Sequence, residues 1–216
     1  TRKGVEKWAK QLGLEIVLAE NYGSRKQGDY TALLQKIKSK RAEAIFSNSY
    51  FADAASQIRT LREMDYNLKI FASTVGPGLP RFAKDLGSTA EYVLGFTQWE
   101  PIPDKLGYPG MREYIAGYTK KYGTPPNYHA GAAYGAMQVL EAAVKHAGSF
   151  DSEKVRNAYA TIDVMTMFGR YKVNSKGLSS HKGMTFQIQN GKRMIVWPKD
   201  QAQVKAKLPM PKWKDR

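Results

Sequence analysis

Between Gly28 and Met64 the chain passes through a helical pattern, a short buried strand and a second helical pattern, and this order constrains the fold more than any other feature. Gly28-Asp29-Tyr30 opens the first helix, Ala42 to Ser47 reads as the strand, and Ser49-Tyr50-Phe51-Ala52-Asp53 leads into the next helix. In open α/β sheets ligands settle outside the carboxyl ends of the strands, so this polar, aromatic turn is where a small molecule is expected. No catalytic group accompanies it. The combination favours a protein that holds a ligand over one that transforms it.

The alternation extends in both directions. Val5, Trp8, Ala9 and Leu12 fall at helical spacing before Gly13, and Leu14 to Ala19 is a short β-rich run. Tyr30, Leu33, Leu34 and Ile37 form an apolar stripe; Ala54, Ala55, Ile58 and Leu61 form another, ending near Asp65. Leu68 to Ser73 and Tyr92 to Thr97 read as further strands, with a short helix around Phe82, Ala83 and Leu86 between them. Strand and helix in alternation predict a parallel sheet covered on both faces.

At Glu100-Pro101-Ile102-Pro103 the pattern changes, because its prolines exclude helix and favour an extended crossing. Three helices follow without strands: one carrying Met111, Tyr114, Ile115, Tyr118 and Tyr122, one from Tyr128 to Ala147, and one capped by Asp151 or Ser152. They need another sheet to lie on. Strands return at Tyr171 to Val173, Met184 to Gln189 and Met194 to Trp197, the last two joined by Asn190-Gly191, a strong hairpin signal. The tail from Pro198 to Arg216 is polar and is expected to drape over the surface.

Composition narrows the function classes. Of 216 residues, 42% are hydrophobic and 25% charged, an ordinary balance for a globular protein. Apolar runs fall short of the ~20 residues of a membrane helix, and Thr1-Arg2-Lys3-Gly4 does not begin a signal peptide. With no cysteine, disulfide and thiolate chemistry are out. The formal charge of +15 is spread along every segment, as at Lys36, Lys38, Lys40, Lys120, Lys121, Lys205 and Lys212. Such dispersion reads as solvated helix surfaces, secondarily as a field that steers anions inward, and argues against a nucleic-acid face.

Several segments together resemble the second half of type I periplasmic solute-binding proteins of ABC transporters, the group of the leucine/isoleucine/valine-binding proteins. They are Gly28-Asp29-Tyr30-Thr31, Leu34-Gln35-Lys36-Ile37-Lys38, Ala44-Ile45-Phe46, Asp53-Ala54 with Ile58, Gly95 with Trp99-Glu100-Pro101, Tyr118 with Tyr122-Gly123, Ala133-Tyr134, and Phe168-Gly169-Arg170-Tyr171. The resemblance implies an α/β fold in which a parallel, Rossmann-like sheet lobe is accompanied by helices belonging to another lobe. It assigns residues 1–98 to the second lobe, 99–165 to the crossing and first-lobe helices, 166–197 to the return with its hairpin, and 198–216 to a surface tail. It also implies that the first lobe's opening β-α units are missing, so a cut protein is expected. The implied setting is periplasmic, with ABC permease subunits as partners and a small organic acid or amino acid as ligand. The same architecture also serves sensory and regulatory domains.

Position and resemblance nominate Tyr50, Phe51, Thr74, Val75, Trp99 and His129 for ligand contact, against packing roles for Tyr50, Phe51 and Trp99 and a surface or capping role for His129. Amino-acid binders of the group carry an acid near Ser73-Thr74-Val75-Gly76, where this chain has none. A buried ammonium without a carboxylate would cost several kcal/mol, so an aromatic carboxylate lacking an amine is expected first and a branched-chain amino acid second. His146 and His181 have no partner at metal spacing, so no metal or cofactor is expected. No P-loop, dinucleotide fingerprint or Gly-x-Ser-x-Gly elbow is present, so no enzyme activity is expected.

Overall fold

A computed structural model describes residues 2–23, 29–179 and 181–216. Gly28, read above as opening a helix, lies outside these residues. The chain divides into two compact units, Thr1–Phe96 with Thr185–Arg216, and Thr97–Met184.

The first unit begins with α1 (Arg2–Gln11), followed by α2 (Thr31–Ser39), β1 (Ala44–Ser47), α3 (Phe51–Glu63), β2 (Ile70–Ser73), α4 (Pro80–Leu86) and β3 (Leu94–Thr97). Asp29 anchors the start of α2, its carboxylate accepting from the Thr31 N–H at 2.8 Å. Three of the stripe residues of α3, Ala54, Ile58 and Leu61, are fully buried. β1 pairs parallel with β2, Ser47 opposite Ser73, and β2 pairs parallel with β3, Ser73 opposite Gly95. The parallel α/β alternation expected from the sequence is therefore present.

Two later strands complete this sheet, β6 (Met184–Gln189) and β7 (Lys192–Trp197), giving the order β1-β2-β3-β6-β7. The β6–β7 hairpin is antiparallel, and both residues of its Asn190-Gly191 turn have positive φ, 53° and 71°, as a type I′ turn requires. Glu91 secures the turn by accepting from both backbone N–H groups, at 2.9 and 2.6 Å. Phe186 lies so close over Gly95 that a Cβ there would stand 2.2 Å from the ring. The tail is fastened rather than loose: the Met210 N–H donates to Lys69 O at 2.8 Å and its side chain is buried.

The second unit holds α5 (Pro103–Leu106), α6 (Met111–Tyr122), α7 (Tyr128–Ala147), α8 (Ser152–Thr161) and an antiparallel pair, β4 (Val164–Thr166) with β5 (Gly169–Tyr171). Asn127 caps α7 by accepting from the Ala130 N–H at 3.1 Å, and Asp151 caps α8 by accepting from the Lys154 N–H at 3.0 Å. Val139, Ala143, Ala158 and Ile162 pack α7 on α8.

Three expectations change. Leu14 to Ala19 forms no strand: among the described residues the segment has no ladder partner, and Leu14, Ile16 and Val17 are 63%, 42% and 37% exposed. A β-rich run becomes a strand only when a neighbour takes up its N–H and C=O groups. Glu100 to Pro103 is not wholly extended, because Pro103 is the first residue of α5, where its missing N–H would be unpaired in any case. The strand expected at Tyr171 to Val173 is β5, two residues earlier, and Val173 makes an isolated bridge to Ser179.

Candidate functional site

At the carboxyl ends of β1 and β2, two turns are tied together through one carbonyl. The oxygen of Ser49 accepts from the N–H groups of Val75 and Gly76, both at 3.2 Å, and from the Thr74 hydroxyl at 3.3 Å, while the Thr74 N–H donates to Ser47 O at 3.1 Å. Gly76 permits this approach: a Cβ there would stand 2.6 Å from the Ala54 Cβ and 3.0 Å from the Tyr50 oxygen. Tyr50, Thr74 and Val75, chosen from the sequence as ligand contacts, are thereby brought to one edge.

Beneath the edge runs a hydroxyl chain. The Tyr22 hydroxyl lies 2.6 Å from the Ser49 hydroxyl and 3.1 Å from Asn48 O, Ser49 contacts Ser47, and the Ser47 hydroxyl donates to Gln57 Oε1 at 2.6 Å. Each hydroxyl has one proton, so the chain is satisfied when Tyr22 donates to Ser49, Ser49 to Ser47 and Ser47 to Gln57. Ser47, Ser49 and Gln57 are buried, and the chain fixes the backbone from which Tyr50 projects. Sequence reasoning missed Tyr22 because a tyrosine in an irregular segment carries no periodic signal.

The predicted site residues have unequal surroundings. Tyr50, at the N-cap position of α3, is 61% exposed and has no side-chain capping bond. Phe51 is half-buried, edge-on to Phe82 at 6.1 Å and covered by the Arg81 guanidinium at 3.6 Å, so its ring is engaged in packing. Thr74 and Val75 are half-buried. In the second unit Trp99 is fully buried, its Nε1–H donating to Met167 O at 3.1 Å, with Phe168 stacked at 6.3 Å and Gly131 against its ring. Its faces are enclosed within that unit. His129 is exposed and lies against Tyr128, ring centroids 3.9 Å apart.

Electrostatically the β1–β2 edge lacks a free acid. Asp53 is the one carboxylate in segments 47–53 and 73–81, and it is buried and accepts from the Tyr30 hydroxyl at 2.7 Å. Burial and the neighbouring Asp53 push the Tyr30 hydroxyl far above the usual tyrosine range, so it stays protonated and keeps donating. Among the described residues no cluster of three or more His, Asp or Glu could hold a metal. No helix among them is long and apolar enough to cross a membrane.

Comparison with known proteins identifies the family and the fold. Residues 1–193 match the family model described as periplasmic binding protein. Leu/Ile/Val-binding protein homolog 7 of Brucella suis biovar 1 is 30% identical over 96% of this chain, and homolog 8 of Brucella abortus is 24% identical over 93%. The chain spans about half the length of these relatives, 54% and 51%. Among solved structures, a leucine-binding protein LivK from Thermotoga maritima superposes with a TM-score of 0.80 at 22% identity, covering 90% of this chain and 54% of that one. A solute-binding protein of an ABC transporter from R. palustris, solved with benzoate, superposes at 0.74 and 14% identity, covering 94% and 55%. At such identities the structural matches establish the fold. Together with the extent of the family match, they show that this chain belongs to the periplasmic binding protein family.

Proposed function

We propose that the chain forms part of a periplasmic solute receptor of an ABC transporter, capturing a small organic acid and delivering it to membrane permease subunits. An aromatic carboxylate is the first ligand class. The observation that carries this reading is the edge itself: an exposed Tyr50 at the strand ends, with the edge's one carboxylate, Asp53, already satisfied by Tyr30. An aromatic body can lie on the phenol ring, whereas an α-ammonium group has no carboxylate to meet. The benzoate-bound relative in fold supports the same class. Tyr50, Thr74 and Val75 are the solute-facing residues in this reading; Phe51 and Trp99 act by packing, and His129 presents an exposed imidazole from the second unit.

A branched-chain amino acid is the second reading, favoured by the names of the Brucella relatives. Thermal shift separates the two. At ~100-fold excess over Kd a ligand adds about 2.7 kcal/mol, worth roughly 5–10 °C for a chain of this size. Stabilisation by benzoate and related acids, without turnover, supports the first reading. Stabilisation by leucine, isoleucine or valine alone would replace it with the second.

A further inference from the structure

We infer that Arg81 is a specificity-determining residue that reads the carboxylate of the solute at the β1–β2 edge; the inference rests on the organic-acid reading above. Arg81 is the second residue of α4, and its guanidinium carbon lies 3.6 Å from the centre of the Phe51 ring. That ring is backed by Phe82, which is fully buried, so the surface on which the guanidinium rests is firm. Stacking uses the face of the guanidinium and leaves its N–H donors pointing outward in the plane. The cation is thus held in place while its fork stays open.

Other arginines are used differently. Arg62 donates to Thr89 at 2.6 Å, Arg156 to Glu153 at 3.0 Å, and Arg170 to Asp163 at 2.6 and 2.5 Å. Among the described residues no oxygen accepts from Arg81. Its place is also particular. Phe51 directly follows Tyr50, and a Cβ on Gly76 would stand 3.4 Å from the Phe51 Cα, so the backbone that carries the stacked ring belongs to the edge formed by Tyr50, Val75 and Gly76. A planar carboxylate matches two parallel N–H donors, and a stacked guanidinium loses less freedom on pairing than a free one. The same cation repels an ammonium group, which agrees with the lack of an available acid at this edge.

Isothermal titration of the 216-residue chain and its Arg81→Gln and Arg81→Lys variants with benzoate and benzamide tests the inference. The native chain should favour benzoate over its uncharged amide. Arg81→Gln should weaken benzoate by roughly 10- to 100-fold, the range for a hydrogen bond to a charged group, and leave benzamide unchanged. Arg81→Lys should fall between, keeping charge without the fork. Equal benzoate affinity in Arg81→Gln and the native chain overturns the inference and leaves the organic-acid reading standing. Equal loss of benzoate and benzamide also overturns it, since Arg81 would then only support Phe51. Failure of the native chain to bind any carboxylate overturns both.

Discussion

Tyr30 and Asp53 show how one pair of side chains both builds and limits the candidate site. The tyrosine is fully buried, and its 2.7 Å hydrogen bond removes the one acid of the β1–β2 edge from ligand chemistry. Tyr30→Phe should leave the buried Asp53 without this donor and destabilise the chain by about 1–3 kcal/mol, measured by urea denaturation at neutral pH. The pair also predicts a pH dependence. The folded state holds the Tyr30 proton far above the ordinary range, while the unfolded chain releases it near pH 10. Its contribution is therefore complete below about pH 10 and is lost progressively above it, as the unfolded state ionises first. Tyr66, Tyr108, Tyr114 and Tyr171 are shifted the same way by burial, so the native chain should weaken in alkali. Tyr30→Phe should weaken less steeply there; an unchanged slope would contradict the assigned role.

At the scale of elements, α6 and α7 give opposed expectations for the same substitution. A Cβ on Gly135 in α7 would stand 2.6 Å from the Phe168 Cβ, whereas one on Gly117 in α6 would meet nothing within 4 Å. Gly135→Ala should cost about 1–3 kcal/mol through overpacking. Gly117→Ala should add roughly 0.5–1 kcal/mol by removing glycine's backbone freedom from a helix interior. Chemical denaturation of both variants checks the packing of this unit. Elements with local signals were legible in the sequence: the stripe of α3, the Asn190-Gly191 turn and the Asp151 cap all stand where their spacing indicated. Leu14 to Ala19 was misread because a strand needs a partner that its own residues do not reveal. The edge was legible in Tyr50, Thr74 and Val75, which sit at strand ends. Tyr22 and Arg81 were not, because one joins through a hydrogen bond 27 residues away and the other looks, in sequence, like any solvated charge.

Across the whole molecule, a formal charge of +15 favours the approach of anions. Raising salt from about 0.01 M to 1 M shortens the screening length from roughly 30 Å to 3 Å. The association rate of benzoate, followed by stopped-flow fluorescence, should fall over that range, while that of an uncharged analogue stays nearly constant. Equal salt dependence would assign the charge to solubility alone. In the proposed function an amine-free carboxylate is held at the carboxyl edge of β1 and β2. An amide-resolved NMR titration of the chain with benzoate and with leucine tests it most directly. Saturable shifts with benzoate are expected at Tyr50, Thr74, Val75 and Gly76, and none there with leucine. Shifts at those amides with leucine and not benzoate, or benzoate shifts confined to other surfaces, would contradict it.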